Sequence, residues 1–318
     1  MLAVTALAVV FMRDLFTIVM LFGIYSLLSA GFFVTMDAVD VALTEAAVGA
    51  GVTTVLMLGT LGMTGRMEKL RLKTPSLLPL AVVTVTGLVL VYGTLDMPHL
   101  GDPDAPVHQH VAPRYIEQSY DEVGMPNIVT SVLASYRGFD TLGEVVVIFA
   151  AGLGVLALLG RAGGGMHQAR ISAMEHHVVL KVVTKALIPL ILLYALYIQF
   201  HGDYGPGGGF QAGVIFGAAI ILYTVVFGLT KAEQVITPNF LRYMMGAGVL
   251  IYGGTGVVTL LLGGNFLDYN TLAHDPLHGQ HYGILAVELG VGVTVAAVII
   301  SIFFNFFGRS NMSQETES

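Results

Sequence analysis

What most constrains this chain is a series of apolar runs, each about as long as a bilayer crossing, at residues 14–35, 38–63, 77–95, 141–160, 178–200, 210–230, 240–262 and 282–307. A crossing needs about 20 predominantly apolar residues, and backbone amides in hydrocarbon can pair only with one another. The runs are too long and too uniformly apolar for barrel strands, whose two faces alternate. The expected fold is therefore all-α, a polytopic integral membrane protein. Residues 1–12 are apolar as well, but twelve helical residues rise only about 18 Å against a hydrocarbon core of about 30 Å. They are read as a ninth, short or tilted helix beside eight clear ones.

Composition excludes several functions. Only 11% of the 318 residues are charged and the mean hydropathy is +0.79, whereas a soluble domain carries roughly 25% charged residues. Cysteine is absent, which leaves no disulfide framework, no Cys-ligated zinc and no thiolate-held iron–sulfur cluster. Any redox chemistry would belong to a partner, and no cofactor is expected. The formal charge of −7, gathered mostly in one loop, argues against nucleic-acid binding. Arg13 and Asp14 follow the opening apolar run instead of preceding it, so no cleavable signal peptide is expected.

Basic residues of the short connections set the orientation. Arg66, Lys69, Arg71 and Lys73 share one connection, Arg161 and Arg170 another, Lys231 and Arg242 flank a third, and Arg309 follows the last run. All fall on one side if every run crosses, which places the C-terminus in the cytoplasm and the N-terminus outside. The outer side then receives loops 96–140, 201–209 and 263–281. The first holds Asp96, Asp102, Asp104, Glu117, Asp121 and Glu122, with prolines opposing regular structure at its start. Residues 127–137 keep near-helical apolar spacing and are expected to form a short interfacial helix. His108 and His110 stand in a metal-binding spacing, but in a polar loop, and no metal site is assigned to them. Gly163-Gly164-Gly165 reads as a joint between two halves of the chain.

Charges inside the apolar runs are the candidate functional residues, because an intramembrane charge costs a few kcal/mol unless it is protonated, paired or wet. Glu45 lies about seven residues into its run, beside Ala46, Ala47, Gly49 and Gly51. It either caps a buried network between helices or handles protons or cations, and the thin helix surface beside it allows close packing or a π-type bulge. Glu144 sits about one turn in from the outer end and Glu288 about two, each open to a structural or a functional reading. Asp37 and Asp40, at a membrane boundary, read as solvated caps. His177, Lys181 and Lys185 recur every fourth residue on one helix face. Like charges at that spacing repel, so carboxylates, water or neutralisation must relieve them. His177 and Lys181 can snorkel to headgroups; Lys185, deeper and followed by Pro189, is the stronger candidate for a proton relay.

Between two runs lies Phe200-His-Gly-Asp-Tyr-Gly-Pro-Gly-Gly-Gly-Phe-Gln-Ala-Gly213. Pro206, Gly207, Gly208 and Gly209 permit a tight re-entry, and the amides opening the next helix can face an anion or the Asp203 carboxylate. No Gly-Lys-Ser/Thr follows, so it is not a Walker loop. The stretch from Pro206 to Phe210 resembles the Pro-Gly-Gly-Gly-Phe hallmark of the B-type component of Mrp-type multisubunit cation/proton antiporters, and residues about 170–308 are similar to that whole component. Asp40-Val-Ala-Leu-Thr-Glu-Ala-Ala-Val-Gly-Ala-Gly51 resembles the C-terminal region of the large A-type component, found also as a separate small protein in membrane-bound hydrogenases. Asn127-Ile-Val-Thr and Arg137-Gly-Phe-Asp-Thr-Leu-Gly-Glu144 are similar to the next module of that region.

The resemblance implies three modules: 1–66 (MbhD-like, three helices), 67–165 (MbhE-like, two helices and a long outer loop) and 166–318 (similar to the B-type component, four helices). It implies a prokaryotic cell membrane, Na⁺ and H⁺ as the transported ions, and as partners the other Mrp-type subunits, large antiporter-like and small. It further implies that Glu45 and Glu144 belong to an ion route, with the helix of Glu45 similar to the hinge-bearing helix of the J component of complex I. His201 precedes Pro206 by five residues instead of the family's three, and Asp203 is the candidate to replace it. Two other roles stay open: a membrane-arm subunit of a hydrogenase- or complex I-related redox-driven pump, and a scaffold without direct ion handling.

Overall fold

The computed structural model describes residues 1–62, 64–68, 77–99, 101–159 and 177–316, with side chains as far as residue 308. The Gly163–Gly165 joint and Lys69, Arg71, Lys73, Arg161, Arg170 and Arg309 lie outside the residues or side chains so described. Among the described residues there is no strand, and eight helices are long and apolar enough to cross a membrane.

The helices are α1 (Leu2–Phe11), α2 (Leu15–Thr35), α3 (Val39–Leu61), α4 (Leu77–Thr94), α5 (Gly138–Leu159), α6 (Val178–His201), α7 (Gly209–Phe227), α8 (Pro238–Leu261) and α9 (Pro276–Thr316). Local chemistry sets several ends. Thr237 caps α8 by accepting from Phe240 N at 3.2 Å, with Pro238 at the first helical position. Asp37, at φ 57, turns the chain from α2 into α3, a left-handed conformation an Asp tolerates better than most residues. After α3 the chain returns to the start of α2, where Arg66 binds Asp14 through two nitrogens at 2.9 and 3.0 Å. Arg66, with Thr17 donating as well, holds the Asp14 carboxyl well below the usual carboxylate range.

Helix α9 is the axis of the fold. Ile284, Val287, Val291, Val295, Val298, Ile300 and Phe303 on it are all buried, and α7 and α8 pack closely against it. Close approach follows from small residues: a Cβ on Gly213 would lie 2.6 Å from the Gly292 carbonyl oxygen, and one on Gly248 2.5 Å from that of Gly290. At the other extreme, every residue of α4 is exposed, an apolar helix whose surface suits lipid or neighbouring chains.

Two expectations shift. The last run begins near 282 by hydropathy, yet α9 starts at Pro276, because Gln280 is buried within the helix and donates to Asn270 Oδ1 at 2.9 Å. A satisfied polar residue lowers hydropathy without ending a helix. The segment expected to lie at the interface is helical over Ile128–Tyr136, π-wound from Ser131, and one of its faces packs into the protein: Ser131 and Ala134 are buried, and the Tyr269 hydroxyl donates to the Ala134 carbonyl at 3.0 Å.

Candidate functional site

The glycine run makes sense at the point where the turn between α6 and α7 meets α9. Gly208 N donates to the Ile198 carbonyl at 3.0 Å, folding the turn back on α6. A Cβ on Gly207 would lie 2.6 Å from that same carbonyl oxygen. Gly208 itself adopts φ +109, a region side chains avoid. A Cβ on Gly209 would overlap the backbone carbonyl of Glu288. The glycines thus let the turn lie against α9 beside Glu288.

Residues from the preceding segment complete the turn. Asn127 Nδ2 donates to the carbonyls of Gly202 and Gly205 at 3.0 and 2.9 Å and reaches Asp40 Oδ1 at 3.4 Å. Asn127 Oδ1 accepts from Val129 N at 3.0 Å, capping the Ile128 helix, and Thr130 Oγ1 donates to Gly202 O at 2.6 Å. These bonds satisfy carbonyls that the sharp turn removes from helical pairing. Sequence reasoning gave Asn127 no role, although an Asn just before an apolar helical run is itself a capping signal.

Beneath the turn lies a chamber of about 280 Å³ lined by Asp40, Thr44, Glu144, Gly208, Gln211 and Glu288 among others. Three carboxylates from three separate helices, α3, α5 and α9, face it. Glu288 is only 8% exposed, and its Oε2 has no hydrogen-bond partner. Gln211 Nε2 donates to Thr44 Oγ1 at 2.8 Å, joining α7 to α3 across the chamber. Asp40, read from sequence as a solvated cap, is half-buried and lines the chamber instead.

A second cavity of about 380 Å³ opens on the other side of the turn, lined by Asp121, Asp203, Asp275, His278 and His281. His281 Nδ1 stands 3.3 Å from Asp203 and His278 Nδ1 3.0 Å from Asp275. Burial pushes the Asp203 carboxyl up, and the neighbouring His281 opposes part of that rise. His201, by contrast, stacks on Tyr197 with ring centroids 4.9 Å apart and lines neither cavity.

The remaining candidates lie elsewhere. Glu45, one residue beyond Thr44 and so about 100° around α3 from it, reaches toward Gly49, as does Ser26 of α2: a Cβ on Gly49 would lie 2.5 Å from Ser26 Oγ and 2.8 Å from Glu45 Oε1. The helix is π-wound from Ala46 to Thr53, directly after this acid. Lys185 is exposed, with Nζ 5.9 Å from the Phe227 ring centroid, and Lys181 is half-buried. Both sit near the start of α6, with Lys185 about 24 Å along the helix from the glycine turn. Among the described residues, no three His, Asp or Glu side chains converge closely enough to hold one metal ion.

Three family models match the chain: the MbhD component of MBH over residues 1–66, the MbhE component of MBH over 80–174, and a domain related to the MnhB subunit of Na⁺/H⁺ antiporter over 179–301. The chain is 28% identical over 293 residues to a probable K⁺/H⁺ antiporter A/B protein of Rhizobium meliloti, covering 82% of this chain and 28% of that one. It is 35% identical over 138 residues to the putative antiporter subunit mnhB2 of Staphylococcus haemolyticus, covering 42% of this chain and 96% of that one. Among solved structures it resembles the Mrp complex from a Dietzia species, with TM-score 0.75 and 29% identity over 96% of this chain and 34% of that chain. It also resembles an archaeal membrane-bound sulfane sulfur reductase, a respiratory complex, with TM-score 0.56 and 31% identity over 73% of this chain and 97% of that chain. The chain therefore spans about a quarter of the A/B-type relative and about a third of the matching Mrp chain.

Proposed function

We propose that this chain, which belongs to the family of Na⁺/H⁺ antiporter subunits related to MnhB, acts as a membrane subunit of a multisubunit cation/proton antiporter. In this reading it joins two modules of the A type, 1–66 and 67–165, to a module of the B type, 166–318. It works beside larger antiporter-like subunits and small membrane subunits, with its N-terminus outside and its C-terminus in the cytoplasm.

The observation that carries this reading is the chamber beneath the glycine turn, to which each module contributes one carboxylate: Asp40, Glu144 and Glu288. A carboxylate facing a wet chamber can take a proton from water and return it to water or to a neighbouring acid. That is the elementary step of a proton route. Glu45 extends the route on the α2 side, where the π-wound segment gives its helix a place to rewind. Lys181 and Lys185 provide groups at the far end of α6. Neutralising any one of them interrupts a relay without removing a helix. No covalent chemistry is assigned to the chain.

The test is cation-dependent proton exchange in inverted membrane vesicles carrying the assembled complex. Glu144→Gln and Glu45→Gln are expected to lower exchange while the complex assembles normally. Unchanged exchange in both assembled variants would overturn the direct role. A second reading, a membrane-arm subunit of a redox-driven ion pump, is favoured by the likeness to the archaeal respiratory complex and by the two MBH models. Co-purification of a soluble arm bearing redox cofactors would favour it; co-purification of membrane subunits alone favours antiport.

A further inference from the structure

The chamber contains a pair of oxygens whose arrangement goes beyond a proton route. Thr44 Oγ1 donates its only proton to the Asp40 carbonyl at 3.0 Å. It must therefore accept from Gln211, which fixes the amide nitrogen of Gln211 toward Thr44 and leaves its Oε1 as the free-facing end. That oxygen and the Glu288 carboxylate flank one point: a Cβ built on Gly208 would lie 3.1 Å from Glu288 Oε1 and 3.7 Å from Gln211 Oε1. With Glu288 ionised both oxygens are acceptors only, which favours a positive charge or a proton near them.

Among the described residues little fills that gap. The Gly208 amide is already given to Ile198. None of the described residues lining the chamber is Lys, Arg or His. The second oxygen of Glu288 is buried and unpaired, which is unfavourable for a carboxylate in the absence of a ligand. The chamber, at about 280 Å³, has room for several waters beside an ion. Its carboxylates line separate walls and form no cage of three, unlike the dense oxygen shell that a divalent ion such as Ca²⁺ requires.

We propose that the gap between Glu288 and Gln211 is a binding site for a partly hydrated alkali cation, and that a proton competes with the cation for the same two oxygens. With a proton on Glu288, its hydroxyl donates to Gln211 Oε1 and the gap closes; with the carboxylate ionised, a cation bridges the two oxygens. One occupant excludes the other, which is the condition for exchanging them. The assignment rests on the antiporter reading for its physiological meaning, but not for the binding itself.

Equilibrium binding of radiolabelled sodium, and separately of rubidium as a potassium substitute, to the purified complex over a pH series tests it. The two labels identify which alkali ion is held. Saturable binding is expected, with apparent affinity falling by up to about tenfold per unit of decreasing pH, the slope of one-proton competition. Glu288→Gln should abolish that component. Gln211→Leu, which keeps the carboxylate, should weaken it by roughly tenfold or more, the loss expected for one ligand to a charge. If Glu288→Gln does not assemble, Gln211→Leu and Thr44→Val, which frees the amide of Gln211 to turn, carry the test. Binding unchanged in every assembled variant, or free of pH competition, overturns the site. Wild-type complex that binds a cation competitively yet exchanges none for protons would refute the antiporter reading and leave the site standing.

Discussion

The backbone of Gly209 lies directly against the backbone carbonyl of Glu288, so closely that no side chain fits between them. The obstacle is main chain, which cannot rotate away. Gly209→Ala is therefore expected to destabilise the protein by about 1–3 kcal/mol, the usual result of overpacking, and to shift Glu288 out of the chamber. Gly253→Ala on α8, where an added Cβ meets nothing within 4 Å, is the matched control and should not lower the melting temperature, since Ala favours a helix interior over Gly. Equal melting temperatures for the two variants in the purified complex would contradict the contact.

Gly49 has the same relation to Glu45, but to a side chain. A methyl group there would press on Ser26 Oγ and Cβ and on the Glu45 carboxylate; the carboxylate has the freedom to move, but the Cβ of buried Ser26 has not. Gly49→Ala should thus lower both stability, by overpacking α2 against α3, and ion exchange, whereas Glu45→Gln should lower exchange alone. Gly59→Ala, further along α3 in open space, should have no effect on either. Vesicle exchange and thermal melting of the three variants check this ordering.

The spans and the glycine hairpin were legible because they depend on local patterns: apolar runs as long as a membrane, and a turn residue set that only a tight re-entry requires. Glu144 and Glu288 were legible as charges out of place in such runs. What the pattern could not carry was which of them meet. Asp40 looks like a helix cap from its neighbours; that it lines the chamber and accepts from Asn127, 87 positions away, depends on packing that no local pattern shows. Gln211 looks like an ordinary polar residue after the motif until Thr44, 167 positions away, fixes its orientation. Lys185 was placed by residue count alone; that it is exposed, with Nζ toward the Phe227 ring of α7, was not legible, since depth along a helix says nothing about which way a side chain faces.

Two carboxylates outside the long apolar helices should respond to pH in opposite directions. Tyr136 and Arg114 hydrogen-bond Glu122 and hold its carboxyl below its ordinary value of 4.5. Folding then favours the ionised form, so this stability is present above the ordinary value and is lost as pH falls through the lowered one. Burial raises the Asp203 carboxyl above 3.8, so its contribution is present below that value and is lost as pH rises through the raised one. Glu122→Gln should flatten the acid limb of a melting-temperature profile. Asp203→Asn should instead remove a decline that begins as pH rises above the ordinary carboxylate range. Identical profiles for wild type and both variants would refute the assignments.

Asn127 is the point where all three proposed modules touch: it lies in the second, donates to Asp40 of the first and caps the carbonyls of Gly202 and Gly205 in the third. Its role is that of a donor, and this gives a prediction with an unusual order. Asn127→Ala removes the donor and leaves carbonyls short of partners, at a cost of about 1–3 kcal/mol. Asn127→Asp has nearly the same shape and keeps the acceptor for Val129 N, yet it turns a carboxylate toward two carbonyl oxygens and the Asp40 carboxylate. An unpaired, largely buried charge costs more, about 3–5 kcal/mol, unless it binds a proton. The closer mimic should therefore be the worse variant at neutral pH. The difference should narrow as pH falls, because protonating the introduced carboxylate restores a donor to the turn. Melting of the purified complex at neutral and acid pH reads both effects. An Asn127→Asp protein as stable as wild type at neutral pH would mean that Asn127 does not donate to the turn.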